Sequence, residues 1–313
     1  RSPVVLVAVI GAVALAGLLP REFTSSTGSL RVSLLQPNIA QDLKFDPDRI
    51  VANMAALQTQ LASAQGDLVV TPESVLPVPR DQLDPDYWAQ LTAPFSMGNR
   101  AALLGTFLGN DSEGYVNSLV GVSAAGDSYI YGKRHLLPFG EFIPPGFRWF
   151  VELMQIPLGD QARGGSEAAF AVAGQRLRPL ICYEDLFGED FAGSMVGPQA
   201  ATMLVNASNL AWFGPHMIQD QHLQFSRMRA LEFQRPLVRS TNTGATAVVD
   251  HRGRVVDRLP PLTAGVLEAR AEGRVGATPY ARWLSRWGLW PAWGLALAGL
   301  VAVRRQPATR RLV

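Results

Sequence analysis

One thiol, Cys182, stands in 313 residues. Leu180 and Ile181 read as the end of a buried strand, and the polar, acidic Tyr183, Glu184 and Asp185 follow at once. A thiol delivered from a strand end into a charged turn is placed for attack. The same thiol also reads as a small hydrophobe filling space. Two other side chains stand in comparable settings. Glu73 follows the apolar Leu68-Val69-Val70 in Thr71-Pro72-Glu73, and Lys133 follows Tyr129-Ile130-Tyr131-Gly132. The chemistry of the three is coherent. A carboxylate shielded from water takes the thiol proton, and a nearby ammonium lowers the thiol pKa and steadies an oxyanion. Taken singly, Glu73 reads as a solvated loop acid and Lys133 as a surface charge. Order along the chain does not show that the three meet in space.

Composition narrows the field. Apolar residues make up 48% and charged residues 17%, a low charge content for a soluble chain. The net charge of +2 provides no field for nucleic acid. A single cysteine excludes an intrachain disulfide and a multi-cysteine metal site. Lys44 and Lys133 are the only lysines. His135, His216, His222 and His251 leave a Cys–His pair open. His216 and His222 are six apart and share no helix face, so no metal site is read, and no cofactor motif is present.

The elements that must position these residues alternate. Leu30–Gln36 reads as a strand, after a polar linker at 21–29. Asp46-Pro47-Asp48 opens a helix with Ile50, Met54, Leu57 and Leu61 at helical spacing. Strands are expected at 101–107, 117–122, 129–131, 177–181, 201–205, 237–241 and 245–249, and a helix at 215–234. The Asp250-His251-Arg252-Gly253 turn leads into a further strand. This pattern predicts an α/β layered sandwich. Lys133 sits in a long loop rich in charge, Gly and Pro, and strand ends are where loops assemble sites.

Three blocks, Thr71-Pro72-Glu73, Gly132 through Glu141 (GKRHLLPFGE) and Ile181-Cys182-Tyr183-Glu184, resemble the catalytic blocks of the nitrilase, or carbon–nitrogen hydrolase, superfamily. The long lysine block and Cys-Tyr-Glu-Asp resemble its apolipoprotein N-acyltransferase branch in particular. The resemblance implies a four-layer αββα sandwich over residues 30–271, flanked by transmembrane helices. It implies Cys182 as nucleophile, Glu73 as general base and Lys133 as stabiliser of the tetrahedral intermediate, with the Tyr183 N–H as a second oxyanion donor. Glu141, Tyr183 and Glu184 would support the site, and Asn206, Ser208, Trp212 and Phe213 fall in the family's later active-site loop. The family often has a Trp where this chain has Phe45, which loses the indole N–H. The implied reaction moves an acyl chain from a phospholipid, phosphatidylethanolamine above all, through a Cys182 thioester to the α-amino group of a diacylglyceryl-cysteine lipoprotein. No cofactor, metal or nucleic acid is implied, and a monomer is expected. Phe139, Phe142-Ile143, Phe147 and Trp149-Phe150-Val151 are expected either to meet lipid as a lid or to pack in the core. A nitrilase-type amidase and a catalytically silent, membrane-tethered binding domain are the competing readings.

The ends fit a bilayer. Pro3–Leu19 is uncharged over about 17 residues, the lower limit for a membrane span. A secretory signal is the alternative, since Ala14-Leu15-Ala16 resembles a cleavage site. A start at Arg1 inside an apolar run leads one to expect more chain before it. A second span is expected over 283–303, with Trp283, Trp287, Trp290 and Trp293 as an interfacial belt and a basic tail at 304–313. The excess of arginine after this span puts the tail in the cytoplasm. The middle domain then lies outside the cytoplasmic membrane of a bacterium, on its periplasmic side.

Overall fold

The computed structural model describes residues 3–17, 20–44, 46–149, 161–165, 168–214 and 217–305. Twelve strands among them form two six-stranded sheets. β1 (Thr24–Gln36), β2 (Leu68–Val70), β3 (Ala101–Asn110), β4 (Gly114–Ser123), β5 (Gly126–Gly132) and β12 (Gly265–Gly276) form one sheet, in the order β12-β1-β2-β3-β4-β5. β6 (Phe170–Val172), β7 (Gln175–Ile181), β8 (Met203–Ser208), β9 (Leu237–Thr241), β10 (Ala247–Val249) and β11 (Val255–Arg258) form the other, in the order β11-β10-β9-β8-β7-β6. Parallel pairing joins β1, β2 and β3 in the first sheet and β7, β8 and β9 in the second. Cys182 follows the end of β7, and the Thr71-Pro72-Glu73 block follows β2.

Strand alternation sorts the core into three apolar layers. Leu30, Val32, Leu34, Leu68, Val70 and Leu103 of the first sheet meet Leu177, Ile181, Met203, Val205 and Val238 of the second. The opposite face of the first sheet, with Val69, Ala102 and Leu104, packs on Leu57 and Leu61 of the helix Pro47–Ser63 and on Trp88 and Leu91 of Pro85–Thr92. On the outer face of the second, Leu180, Leu204, Leu237 and Ala247 pack on Leu223, Ala230 and Phe233 of the helix Ile218–Phe233. The layering is therefore helix, sheet, sheet, helix, a layered α/β sandwich as the alternating pattern predicts, in the four-layer order that the family resemblance implies. Asp46 caps the helix Pro47–Ser63 by accepting the Asp48 N–H, as its sequence signals.

Several boundaries differ from expectation for physical reasons. The polar stretch Thr24–Gly28 is not a linker but the start of β1. Its backbone pairs with β12 from Thr24 opposite Gly276, and its side chains face solvent. The domain likewise runs past 271, because β12 continues to Gly276. The apolar run expected as one span from 283 splits at Gly288, whose φ of 55° ends the helix Pro279–Trp287. That helix buries Ala281 and Leu284 against the second sheet's outer layer, so Trp283 belongs to the domain surface. A separate helix runs over Trp290–Arg305. The helix expected from Pro215 is described from Ile218; Pro215 and His216 lie outside the described residues. So do Phe45, Phe150, Val151 and the tail from Gln306.

The first apolar run forms the helix Pro3–Gly17, with Val4, Leu6, Val7, Val9, Ile10 and Val13 exposed. Among the described residues, no helix is long and apolar enough to cross a membrane.

Candidate active site

β7 delivers Cys182 into a single tight turn, Cys182–Leu186. The cysteine sits at φ 55°, a left-handed conformation that costs a side-chain-bearing residue about 1–2 kcal/mol and must be held by its surroundings. Glu184 does much of the holding. One carboxylate oxygen accepts the Ile181 N–H (2.7 Å) and the Tyr131 hydroxyl (2.7 Å). The other accepts the N–H groups of Arg134 (2.6 Å) and His135 (3.2 Å) in the lysine loop. Asn206 Nδ2, within β8, donates to the Cys182 carbonyl (2.7 Å), and Ser208 Oγ donates to Asn206 Oδ1 (2.5 Å). The Tyr183 hydroxyl donates to the Leu136 carbonyl (2.7 Å). The thiol turn and the lysine loop are thus one braced unit.

Lys133 is 1% exposed and lies between two carboxylates. Its Nζ is 2.8 Å from Glu73 Oε1 and 2.6 Å from Glu141 Oε1. Glu141 Oε2 accepts the Leu137 N–H (2.8 Å), which curls the loop back on the lysine. Glu73 also receives Asn117 Nδ2 (2.7 Å) on Oε1 and the Asn209 N–H (2.9 Å) on Oε2. Its turn is fixed from behind by Lys44, whose buried Nζ donates to Ser74 Oγ (2.7 Å) and to the Glu73 carbonyl (3.4 Å). Ser74 stands at φ 46°.

Burial works against every charge here, and the neighbours decide which survive. Burial would lower Lys133, but Glu73, Cys182 and Glu141 hold it well above the ordinary lysine range, so it stays a cation. Burial would raise Glu73, but Lys133 and the hydrogen bonds it accepts bring it below the usual carboxylate value. Burial pushes Glu141 up despite Lys133, with Glu73 adding to the push. Of the two acids on one lysine, Glu141 therefore holds a proton more readily. Burial also takes Lys44 down to about 8, against the pull of Glu73. The Cys182 thiol is raised by burial, then by Glu73 and Glu141, and Lys133 and Arg239 offset only part of this. Lys133 does lower the thiol, as its charge predicts, but burial, the largest effect, together with Glu73 and Glu141 leaves the thiol above its ordinary value.

Glu73, Lys133, Glu141 and Cys182, read from sequence, share this one buried, electrostatically coupled cluster, and Tyr183 and Glu184 brace it. Asn206 and Ser208 lie inside β8, and they support the thiol turn through its backbone. Phe139, Phe147, Trp149, Trp212 and Phe213 are exposed, and Phe142 is half-buried. None of these aromatics joins the core clusters, so core packing does not account for them. Asn117, Asn209 and Lys44 reach the cluster, although the sequence does not mark them as site residues. The sequence leaves His222 open as a thiol partner, and its Nε2 lies 4.0 Å from Cys182 Sγ. Nothing in the sequence marks a strand or loop Asn as a carboxylate donor. His135 packs on Phe187 (4.1 Å between ring centroids) and pairs with Asp190. A cavity of about 550 Å³, lined by Asn38, Ala40, Gln41, Ala211, Gly214, Thr243 and Leu262, adjoins the cluster through Gln41, which accepts Asn209 Nδ2 at 2.9 Å.

The carbon–nitrogen hydrolase family model matches residues 31–280. Among curated proteins, the apolipoprotein N-acyltransferase of Verminephrobacter eiseniae is 52% identical over 275 residues, covering 83% of this chain and 51% of the relative. That of Ralstonia nicotianae is 45% identical over 256 residues, covering 81% and 49%. The chain thus spans about half the length of the curated relatives it matches. Among solved structures, a CN-hydrolase superfamily protein of Xanthomonas campestris aligns with a TM-score of 0.57 at 19% identity, covering 84% of this chain and 97% of that one. A nitrilase-superfamily amidase of Nesterenkonia aligns at 0.59 and 16%, covering 87% and 100%. At such identities these two speak for the fold alone.

Proposed function

Because the chain belongs to the carbon–nitrogen hydrolase family, we propose that it is the catalytic portion of a membrane-bound N-acyltransferase that carries an acyl chain on Cys182. The observation that carries the reading is the Lys133 ammonium clamped between Glu73 and Glu141 in the same buried cluster as the single thiol. The similarity to proteins named apolipoprotein N-acyltransferase supports a lipoprotein amine as acceptor; in this proposal that amine belongs to an N-terminal diacylglyceryl-cysteine, and the donor is a phospholipid, phosphatidylethanolamine first.

The chemistry follows from the charges. At rest the site holds a protonated thiol and an ionised Glu73. Transfer of the thiol proton to Glu73 conserves the net charge, since one buried anion replaces another beside Lys133. Sγ then attacks the ester carbonyl carbon, and Lys133, with the Tyr183 N–H, stabilises the oxyanion. Glu73 returns the proton to the departing alkoxide, which leaves as lysophospholipid, and the acyl group stays as a thioester. In the second half the amine attacks the thioester, Glu73 takes its proton, and the sulfur leaves and is reprotonated. Glu141 stays on Lys133 throughout and keeps that ammonium in place. The apolar helices at the two ends, with the exposed Phe139, Phe147, Trp149 and Trp212, hold the site at a bilayer surface, the catalytic domain on the extracytoplasmic side. Exclusion of water there lets the thioester wait for an amine.

The test is direct. Protein in detergent micelles is given phospholipid labelled in the sn-1 chain, then a diacylglyceryl-cysteine peptide. Hydroxylamine-labile label on the wild type, absent from Cys182→Ala and chased onto the peptide amine, is the expected result. A wild type that acquires no label refutes the reading. Label released as free fatty acid regardless of peptide makes the protein a hydrolase instead.

A further inference from the structure

A second set of buried polar groups reaches Cys182 from the helix Ile218–Phe233 and takes no part in the steps above. His222 is 3% exposed, with Nε2 at 4.0 Å from Sγ. Its Nδ1 faces Asp185 Oδ2 at 3.8 Å. Ser226 Oγ donates to the same Asp185 oxygen (2.6 Å), and Arg239 Nη1 stands 3.6 Å from it. Arg239 Nη1 also donates to Ser226 Oγ (3.1 Å) and to Asn206 Oδ1 (2.9 Å), and Asn206 donates to the Cys182 carbonyl. The set leaves Cys182 at its sulfur and returns at its backbone, through the thiol turn, the helix, β9 and β8.

The chemistry of this ring fixes the imidazole. Burial, then Arg239 and also Lys133, push His222 well below the ordinary histidine range, against a smaller pull from its own backbone carbonyl. The charged and titratable groups that face it are Cys182 and Asp185 of the thiol turn, Arg239 of β9 and Lys133 of the loop. Burial and the two cations favour the neutral imidazole, which makes His222 a poorer base than Glu73. Nδ1 faces the Asp185 carboxylate oxygen, an acceptor, at 3.8 Å, and the tautomer with the ring proton on Nδ1 turns that proton toward the carboxylate. Nε2 then presents a lone pair to the sulfur.

We propose that His222 is a positioning residue for the resting nucleophile: Nε2 accepts the Cys182 S–H and holds the thiol in one rotamer until substrate arrives and the proton passes to Glu73. A sulfur donor at 4.0 Å makes a weak bond, one that orients the side chain and is readily given up. With one cysteine in the chain, the S–H stretching band is obtained by difference against Cys182→Ala. In the wild type it should lie below the position of a free thiol in an apolar solvent. His222→Leu should return it to that position, and His222→Gln, which restores an acceptor, should draw it down again. If the first variant fails to fold, the wild-type band still decides the matter: a band at the free-thiol position overturns the proposal, as does one that His222→Leu leaves unmoved. The second arm rests on the acyl-transfer reading. His222→Leu should slow thioester formation about tenfold at unchanged KM for the phospholipid. A displaced band in a protein that forms no thioester supports the placement of the proton and counts against acyl transfer, so the two failures are told apart.

Discussion

At the scale of single residues, Cys182 is a protonated thiol kept in reserve, and its reactivity toward a small electrophile should say so. Thiolate, not thiol, is alkylated. With burial and two carboxylates holding the thiol up, iodoacetamide modification should keep accelerating through about pH 9, without a plateau below about pH 8. Glu73→Gln removes one of the charges opposing the thiolate. It should speed alkylation several-fold at a given pH while abolishing acyl transfer, whereas Lys133→Met should slow both. Parallel loss of alkylation and transfer in Glu73→Gln would contradict this electrostatic account. Asp185 offers a second check. Burial raises it from 3.8 to about 6, with Arg239 and Ser226 opposing. The folded state therefore binds more protons than the unfolded state between these values. The stability associated with this group is full below about pH 4 and is lost as the pH rises through about 6, by up to about 3 kcal/mol. Chemical denaturation of wild type and Asp185→Asn at both ends of this window should show that difference only in the wild type.

At the scale of elements, two turns decide whether Glu73 and Cys182 meet. The Glu73 turn lies against β3 at Gly105. Gly105 N–H donates to Thr71 Oγ1 (2.9 Å), and Leu76 N–H donates back to the Gly105 carbonyl (3.1 Å). A Cβ at Gly105 would overlap the Pro72 carbonyl oxygen and come within 2.8 Å of Ser74 N. Gly105→Ala should therefore cost about 1–3 kcal/mol in a thermal melt. It should cut thioester formation about a hundredfold by moving the carboxylate. Gly193→Ala, where a Cβ meets nothing within 4 Å, serves as the neutral control. These turns also mark where sequence stops being legible. Leu68-Val69-Val70 and Leu180-Ile181 announce their strands by composition, so the ends carrying Glu73 and Cys182 could be read. The positive φ of Ser74 and Cys182 could not, because neither residue type favours it and only the packed neighbours impose it. The same holds for Asn117 and Asn209: one lies in a strand and one follows a strand, and only the pairing of distant strands makes them donors to Glu73. Thr24–Gly28 misled for the converse reason. Polar composition looked like a linker, while the partner that makes it a strand lies some 250 residues away at Gly276.

At the scale of the whole molecule, the sandwich is flanked by two helices that it does not cover. Pro3–Gly17 and Trp290–Arg305 are 15 and 16 residues long, about 22–24 Å at 1.5 Å per residue, against the roughly 30 Å of a bilayer core. Val4, Leu6, Val7 and Ile10 on one, and Trp290, Trp293, Leu295 and Leu297 on the other, face outward. Between the second of these and the domain stands Pro279–Trp287, seated on the core by Ala281 and Leu284 and capped by Thr278, whose hydroxyl accepts the Ala281 N–H (3.0 Å). That seat anchors the domain at one end of the chain and fixes where the last helix departs. If the outward residues are covered by lipid, the intact chain should float with phospholipid vesicles. A chain cut to residues 20–288 should keep its thermal transition, because among the described residues no core cluster draws on what is removed. The cut chain tests the exposed Phe139, Phe147, Trp149 and Trp212 separately. If these loops also touch lipid, it should retain weak flotation that replacement of the four by Ser abolishes. Equal flotation of cut and intact chains would assign membrane contact to the loops and leave the terminal helices without that role.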